Sequence, residues 1–93
     1  MLVLEEFERH DCDRLIRWVP DARFLLLWAG PQYSYPLDKE QLEQTIQQTQ
    51  GLKPAHFMFK VLDSDNNRVI GHIELMTVDY DTKKGHIGRV LLE

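Results

Sequence analysis

The chain has 93 residues, a formal net charge of −4, 43% hydrophobic and 28% charged residues, the length of one domain and the composition of an ordinary globular protein. No apolar run approaches the roughly 18–20 residues of a membrane-spanning helix, and no block of Lys or Arg is long enough to track phosphates, which argues against nucleic acid as a partner. The single cysteine, Cys12, excludes an internal disulfide, and its neighbours Asp11 and Asp13 oppose the thiolate that a nucleophile would need, so it reads as a half-buried helix residue.

The opening stretch, Met1 to Glu6, lacks the basic region of a signal peptide, so the expectation is a cytoplasmic protein. Leu2–Phe7 reads as a short strand. Asp11 is placed to cap a helix from Cys12 to Val19 with Leu15, Ile16 and Val19 on one face, and Pro20 stops it. Asp21 caps a second short helix, Ala22 to Trp28. Its run Phe24-Leu25-Leu26-Leu27-Trp28 is apolar almost all round and predicts deep packing. Gly30-Pro31 ends that helix, and Gln32 to Pro36 form an aromatic-rich loop.

The clearest helix signal covers Lys39–Gln50. Asp38 is its N-cap, Gln41 stands where a capping box would have it, and Leu37 and Leu42 are spaced as a hydrophobic staple. Leu42 and Ile46 give a narrow apolar stripe, and Gly51 fits the left-handed exit. His56–Leu62 alternates, with Phe57, Phe59 and Val61 opposed to Met58 and Lys60, and reads as a strand. A turn over Asp63–Asn67 leads to a strand over Val69–Thr77, a polar loop over Asp79–Gly85 and a last strand, His86–Leu92. The expected fold is α+β, in the order β-α-α-α-β-β-β, with a mainly antiparallel sheet and one domain over residues 1–93. The open edge of the last strand predicts a homodimer formed by strand addition.

Two metal signals are set aside. Asp63, Asp65, Asn67 and Glu74 fall at places used by a calcium-binding loop, but Arg68 stands where its sharp turn wants glycine, and His56–Leu62 precedes it as a strand. His10, His56, His72 and His86 show no metal-ligand spacing, although His72 and His86 lie on neighbouring predicted strands.

The stretches Phe24–Pro31, Tyr35-Pro36-Leu37, Phe59-Lys60-Val61, Val69–Leu75 and Gly85–Leu92 together resemble the amino-terminal half of a GNAT-type N-acetyltransferase. The likeness is carried most clearly by Gly71-x-Ile73-x-Leu75 and Ile87-Gly88-Arg89-Val90-Leu91, and it spans Leu2 to Leu92. It implies the amino-terminal half of a GNAT-like fold, acetyl-CoA as cosubstrate, and direct acetyl transfer to a primary amine. By the same resemblance, backbone groups of Val90, Leu91 and Leu92 face the acetyl carbonyl and the pantetheine arm. Trp28, Tyr33 and Tyr35 build the acceptor pocket, and Glu74 is the general base on the amine, directly or through water. The side chains also fit plainer roles: Trp28 in the core, the tyrosines in a loop, Glu74 as a solvated strand carboxylate. The family's Arg/Gln-x-x-Gly-x-Gly/Ala loop, which cradles the pyrophosphate of coenzyme A, has no counterpart in these residues. The expectation is therefore a truncated domain, inactive or incomplete as it stands. The alternative is a non-catalytic fragment that self-associates through its open strand edge.

Overall fold

The computed structural model describes residues 1–93. In chain order it contains β1 (Leu2–Glu6), a single 3-10 turn (Arg9–Asp11), α1 (Cys12–Arg17), α2 (Ala22–Ala29), α3 (Lys39–Gln48), β2 (Phe57–Asp63), β3 (Arg68–Asp79) and β4 (Lys84–Leu92). The four strands form one antiparallel sheet in the order β1-β2-β3-β4. This is the expected α+β arrangement, with β4 at one edge of the sheet. The helices lie on one face only.

Local chemistry explains most element ends. Asp21 accepts from Phe24 N, and Asp38 from Gln41 N, so both act as N-caps. Gln41 does not close a capping box: its amide donates to the carbonyls of Ser34 and Pro36 and its oxygen accepts from Ser34 N, which ties the loop to α3. Leu37 and Leu42 are both buried, as a staple requires. α3 ends earlier than the spacing predicts, and Gly51 follows with φ +100, a conformation glycine adopts without a Cβ clash. The β2–β3 turn is held by the Asp63 carboxylate, which accepts from Asp65 N and from the Asn66 amide.

Three expectations need correction. Asp11 does not cap α1 with its side chain; it closes the preceding turn by accepting from Glu8 N. Cys12 is fully buried rather than half-buried, and burial pushes its thiol pKa up. α2 is not deeply packed: Leu25 alone is buried, while Leu26 and Leu27 stand 57% and 76% exposed. An apolar run cannot show which of its sides meets the core, and here the sheet receives one side only.

Phe7, Cys12, Leu15, Val19, Leu25, Leu37, Leu42, Met58 and Leu91 belong to the buried core between helices and sheet. The two sheet faces are unlike each other. The helix-facing side carries Met58, Lys60, His72, Glu74, Arg89 and Leu91, all buried. The other side brings together Leu4, Phe59, Ile73, Leu75 and Ile87, and no helix covers it. Phe57 and Phe59 stack there with ring centroids 6.3 Å apart.

Candidate active site

Glu74 is the centre of a buried polar cluster. Period-two alternation sends it, with His72, to the helix-facing side of β3. Its side chain has no exposure and meets three donors. His56 Nε2 lies 2.6 Å from Oε1, His72 Nε2 lies 2.7 Å from Oε2, and Arg89 Nη1 donates to Oε1 across 3.1 Å. Burial by itself raises a carboxylate pKa; here the hydrogen bonds of His56 and His72 and the charge of Arg89 overcome it and hold Glu74 down to about 2. A solvated strand carboxylate is thus not what Glu74 is. Both its oxygens are taken, so it does not face the acceptor as a free carboxylate.

Arg89 sits where β4 departs from regular pairing, with φ 47. This irregularity turns its guanidinium inward. Nη1 also donates to the Tyr33 hydroxyl, Nη2 donates to Gln32 Oε1 across 2.6 Å, and the guanidinium lies over the Tyr33 ring. Nε is buried without a partner. The Tyr33 and Thr45 hydroxyls share a hydrogen bond of 2.6 Å, and burial raises the Tyr33 pKa. His72 carries the cluster toward α2: its ring meets Phe7 edge-on at 5.0 Å and Trp28 at 5.7 Å.

A groove of about 400 Å³ runs where α2 meets β4, lined by Phe24, Leu27, Trp28, Val90, Leu91 and Leu92. Four of the residues singled out by the sequence, Trp28, Val90, Leu91 and Leu92, meet here. Tyr33 and Tyr35 do not. Tyr33 lines a separate polar cavity with Gln32, Gln44, Thr45, Gln48 and Arg89. Tyr35 is half exposed and donates to the Pro20 carbonyl across 3.2 Å. Neither Glu74 nor His72 lines the groove; His72 is buried and stands opposite Leu91 in the β3–β4 register. His86 is opposite Met76 and stays apart from His72; the histidines that meet across Glu74 are His56 and His72.

The backbone of β4 adds to the groove. Glu93 N donates inward to Ile70 O across 2.8 Å. Alternation through the regular pairs of Leu91 and Leu92 then turns the N–H of Leu92 outward, away from β3. An apolar trough beside a free strand donor suits a flexible, amide-bearing chain such as the pantetheine arm of coenzyme A. No Lys or Arg lines the trough to meet a pyrophosphate.

Sequence reasoning passed over Arg89 and His56. Arg89 stood inside the quoted Ile-Gly-Arg-Val-Leu stretch, so a charged residue in an apolar strand was the available signal. His56 carried none, since its partner is 18 positions away.

No model of a known protein family matches the chain. Its fold, however, is shared with solved acetyltransferases. A spermidine N-acetyltransferase from Vibrio cholerae, in complex with CoA and spermine, superposes with a TM-score of 0.74 at 20% identity, over 99% of this chain and 51% of that one. A chimera of the Vibrio cholerae enzyme SpeG and hSSAT gives 0.70 at 20% identity, over 98% and 49%. A dodecameric form of the Vibrio cholerae enzyme gives 0.63 at 19% identity, over 99% and 50%. The architecture is that of a GNAT half-domain, and the chain spans about half the length of the structures it matches.

Proposed function

We propose that this chain provides the acetyl-CoA-facing half of an N-acetyltransferase that acts on a primary amine. The observation that carries the reading is the groove in which Trp28 faces Val90, Leu91 and Leu92 beside an unpaired strand edge. The fold shared with a CoA-binding acetyltransferase supports it.

Bound acetyl-CoA would bring an activated thioester. The outward N–H of Leu92 and the backbone of Val90 would hold the pantetheine amides and polarise the acetyl carbonyl, a positioning and electrostatic contribution. Phe24, Leu27 and Trp28 would exclude water from the reacting atoms. As the amine nitrogen bonds to the acetyl carbon and the carbon–sulfur bond breaks, one proton must leave the nitrogen. Glu74 would be the carboxylate that receives it by way of water, since neither Glu74 nor His72 lines the groove. With no cation lining the groove, the chain alone is expected to bind acetyl-CoA weakly and to turn over poorly.

Titration of the 93-residue chain with acetyl-CoA, followed by calorimetry and by amide NMR, tests the reading. Saturable heat with shifts at Val90, Leu92 and the Trp28 indole is expected. Silence at all three would overturn it.

A second reading is favoured by the free outer edge of β4: a non-catalytic domain that pairs with a second copy along that edge. Sedimentation at micromolar concentration separates the two, since a folded monomer that binds acetyl-CoA removes the second.

A further inference from the structure

The polar cavity beside the groove has a definite chemical character. It measures about 220 Å³ and is walled by Gln32 and Tyr33 of the loop, Gln44, Thr45 and Gln48 of α3, and Arg89 of β4. No carboxylate lines it. The Glu74 carboxylate lies behind Arg89, enclosed by its own three donors.

The one charged group in the wall is a donor. Arg89 has five N–H groups; Tyr33, Glu74 and Gln32 take one each, and Nε–H is buried without a partner. The Gln32 oxygen already accepts from Arg89, which leaves its amide NH₂ as the group it offers. Gln44 and Gln48 are exposed on the α3 face of the cavity. An ammonium entering this space meets amide oxygens of Gln44 and Gln48 but no carboxylate, and it stands against a guanidinium. A carboxylate entering the same space gains charge-assisted hydrogen bonds.

Arg89 immediately precedes Val90, so cavity and groove share one strand. A molecule that spanned the two would place its amine in the groove and its other end at Arg89. We infer that the cavity is the subsite for the far end of the acceptor, and that it takes a carboxylate. Granted the acetyl-transfer reading above, the acceptor is an amino acid or another amine carrying a carboxylate, not a polyamine.

Two probes matched in length decide it. 4-Aminobutanoate has an amine at one end and a carboxylate at the other; 1,4-diaminobutane has amines at both. Each is titrated into the ¹⁵N-labelled chain without acetyl-CoA, and the side-chain amide signals of Gln32, Gln44 and Gln48 are followed. Saturable shifts with 4-aminobutanoate and none with the diamine are expected. The Gln44→Leu/Gln48→Leu variant, altered only at exposed positions, should weaken the response by about tenfold, the effect of losing hydrogen bonds to a charged group. Arg89→Met should abolish it, but that variant risks unfolding, so the glutamine pair is the deciding one. Equal or stronger shifts with the diamine would overturn the assignment. So would silence from both probes, or unchanged affinity in the glutamine variant. Acetyl-CoA binding is read separately at Trp28, Val90 and Leu92, so this subsite and the cosubstrate groove can fail independently.

Discussion

Arg89 Nη1 donates to Glu74 Oε1 across 3.1 Å, and the two side chains are 4% and 0% exposed. A buried pair of this kind need not exceed an apolar pair in stability, but removing one partner strands the other's charge. Arg89→Met is therefore expected to cost roughly 3–5 kcal/mol, read from urea unfolding. Glu74→Gln should be strongly destabilising as well, and the double variant should cost less than the two together. Additive penalties would show that the contact is not coupled.

Arg89 also carries a backbone signature, with φ 47 in the left-handed region. An L residue there is strained by about 1–2 kcal/mol relative to glycine. Arg89→Gly and Arg89→Ala both lose the guanidinium, yet the glycine variant should be the more stable by about 1 kcal/mol. Equal midpoints in urea would argue that β4 relaxes its irregularity once the side chain is gone.

Acid should expose the role of Glu74. Its folded-state pKa is held down to about 2 from 4.5. Since the folded value lies below the unfolded one, the stabilisation is complete above about pH 4.5 and is lost as pH falls toward 2. The full difference is on the order of 3 kcal/mol. Stability measured across that window should fall with a slope that flattens in Glu74→Gln. Asp11, also held below its ordinary value, contributes to the same slope and remains in that variant.

Asp11 is the second buried anion, and its partners define a graded prediction. Burial raises its pKa, and the hydrogen bonds from Lys60, Glu8 N and Arg14 lower it further than burial lifts it. Lys60 Nζ lies 2.9 Å from Oδ2 and Arg14 Nη2 2.7 Å from Oδ1. Lys60→Met leaves Asp11 with two donors and should cost about 1–2 kcal/mol. Asp11→Ala strands Lys60 beneath α1 and frees Glu8 N, so it should cost roughly 3 kcal/mol or more. Thermal unfolding of both variants reads the order, and the reverse order would mean that Lys60 escapes to solvent when unpaired.

Element order and strand spans followed from local signals: caps at Asp21 and Asp38, turns at Asp63–Asn67, alternation in β2 and β3. What local signals leave open is which face of a strand is covered. Alternation separates Phe57 and Phe59 from Met58 and Lys60, but period two is the same whichever side the helices take. Here they take the side bearing Lys60, His72, Glu74 and Arg89, and the apolar side faces outward. The plainer reading of Glu74, a solvated strand carboxylate, therefore fails, because the residue is sealed. Its partners His56 and Arg89 lie 18 and 15 positions away, beyond any local pattern. The resemblance sets Val90, Leu91 and Leu92 together but puts Trp28 with Tyr33 and Tyr35, whereas the fold brings Trp28 to Val90, Leu91 and Leu92 and leaves both tyrosines elsewhere. Tyr33 was legible as loop, and its inward turn to Thr45 and Arg89 depends on how that loop folds over α3.

The edge of β4 offers a last test, one that separates backbone from side-chain effects. Glu93 N donates inward to Ile70 O, so Leu92 N–H points away from the sheet. Proline at Leu92 removes this outward donor and leaves the β3–β4 ladder its inward ones. If β4 pairs with a second copy, Leu92→Pro should lower the dimer fraction in sedimentation while leaving the unfolding free energy in urea within about 1 kcal/mol of the parent. If the same edge instead holds the pantetheine arm, Leu92→Pro should weaken acetyl-CoA binding in a monomeric chain. Ile87→Lys supplies the contrast, because Ile87 is 71% exposed on the open apolar face and lines neither the groove nor the polar cavity. An edge-paired dimer should survive Ile87→Lys and weaken with Leu92→Pro. The opposite pattern would place any self-association on the uncovered sheet face, where Phe59, Ile73 and Leu75 would be its contacts, and would remove strand addition as its cause.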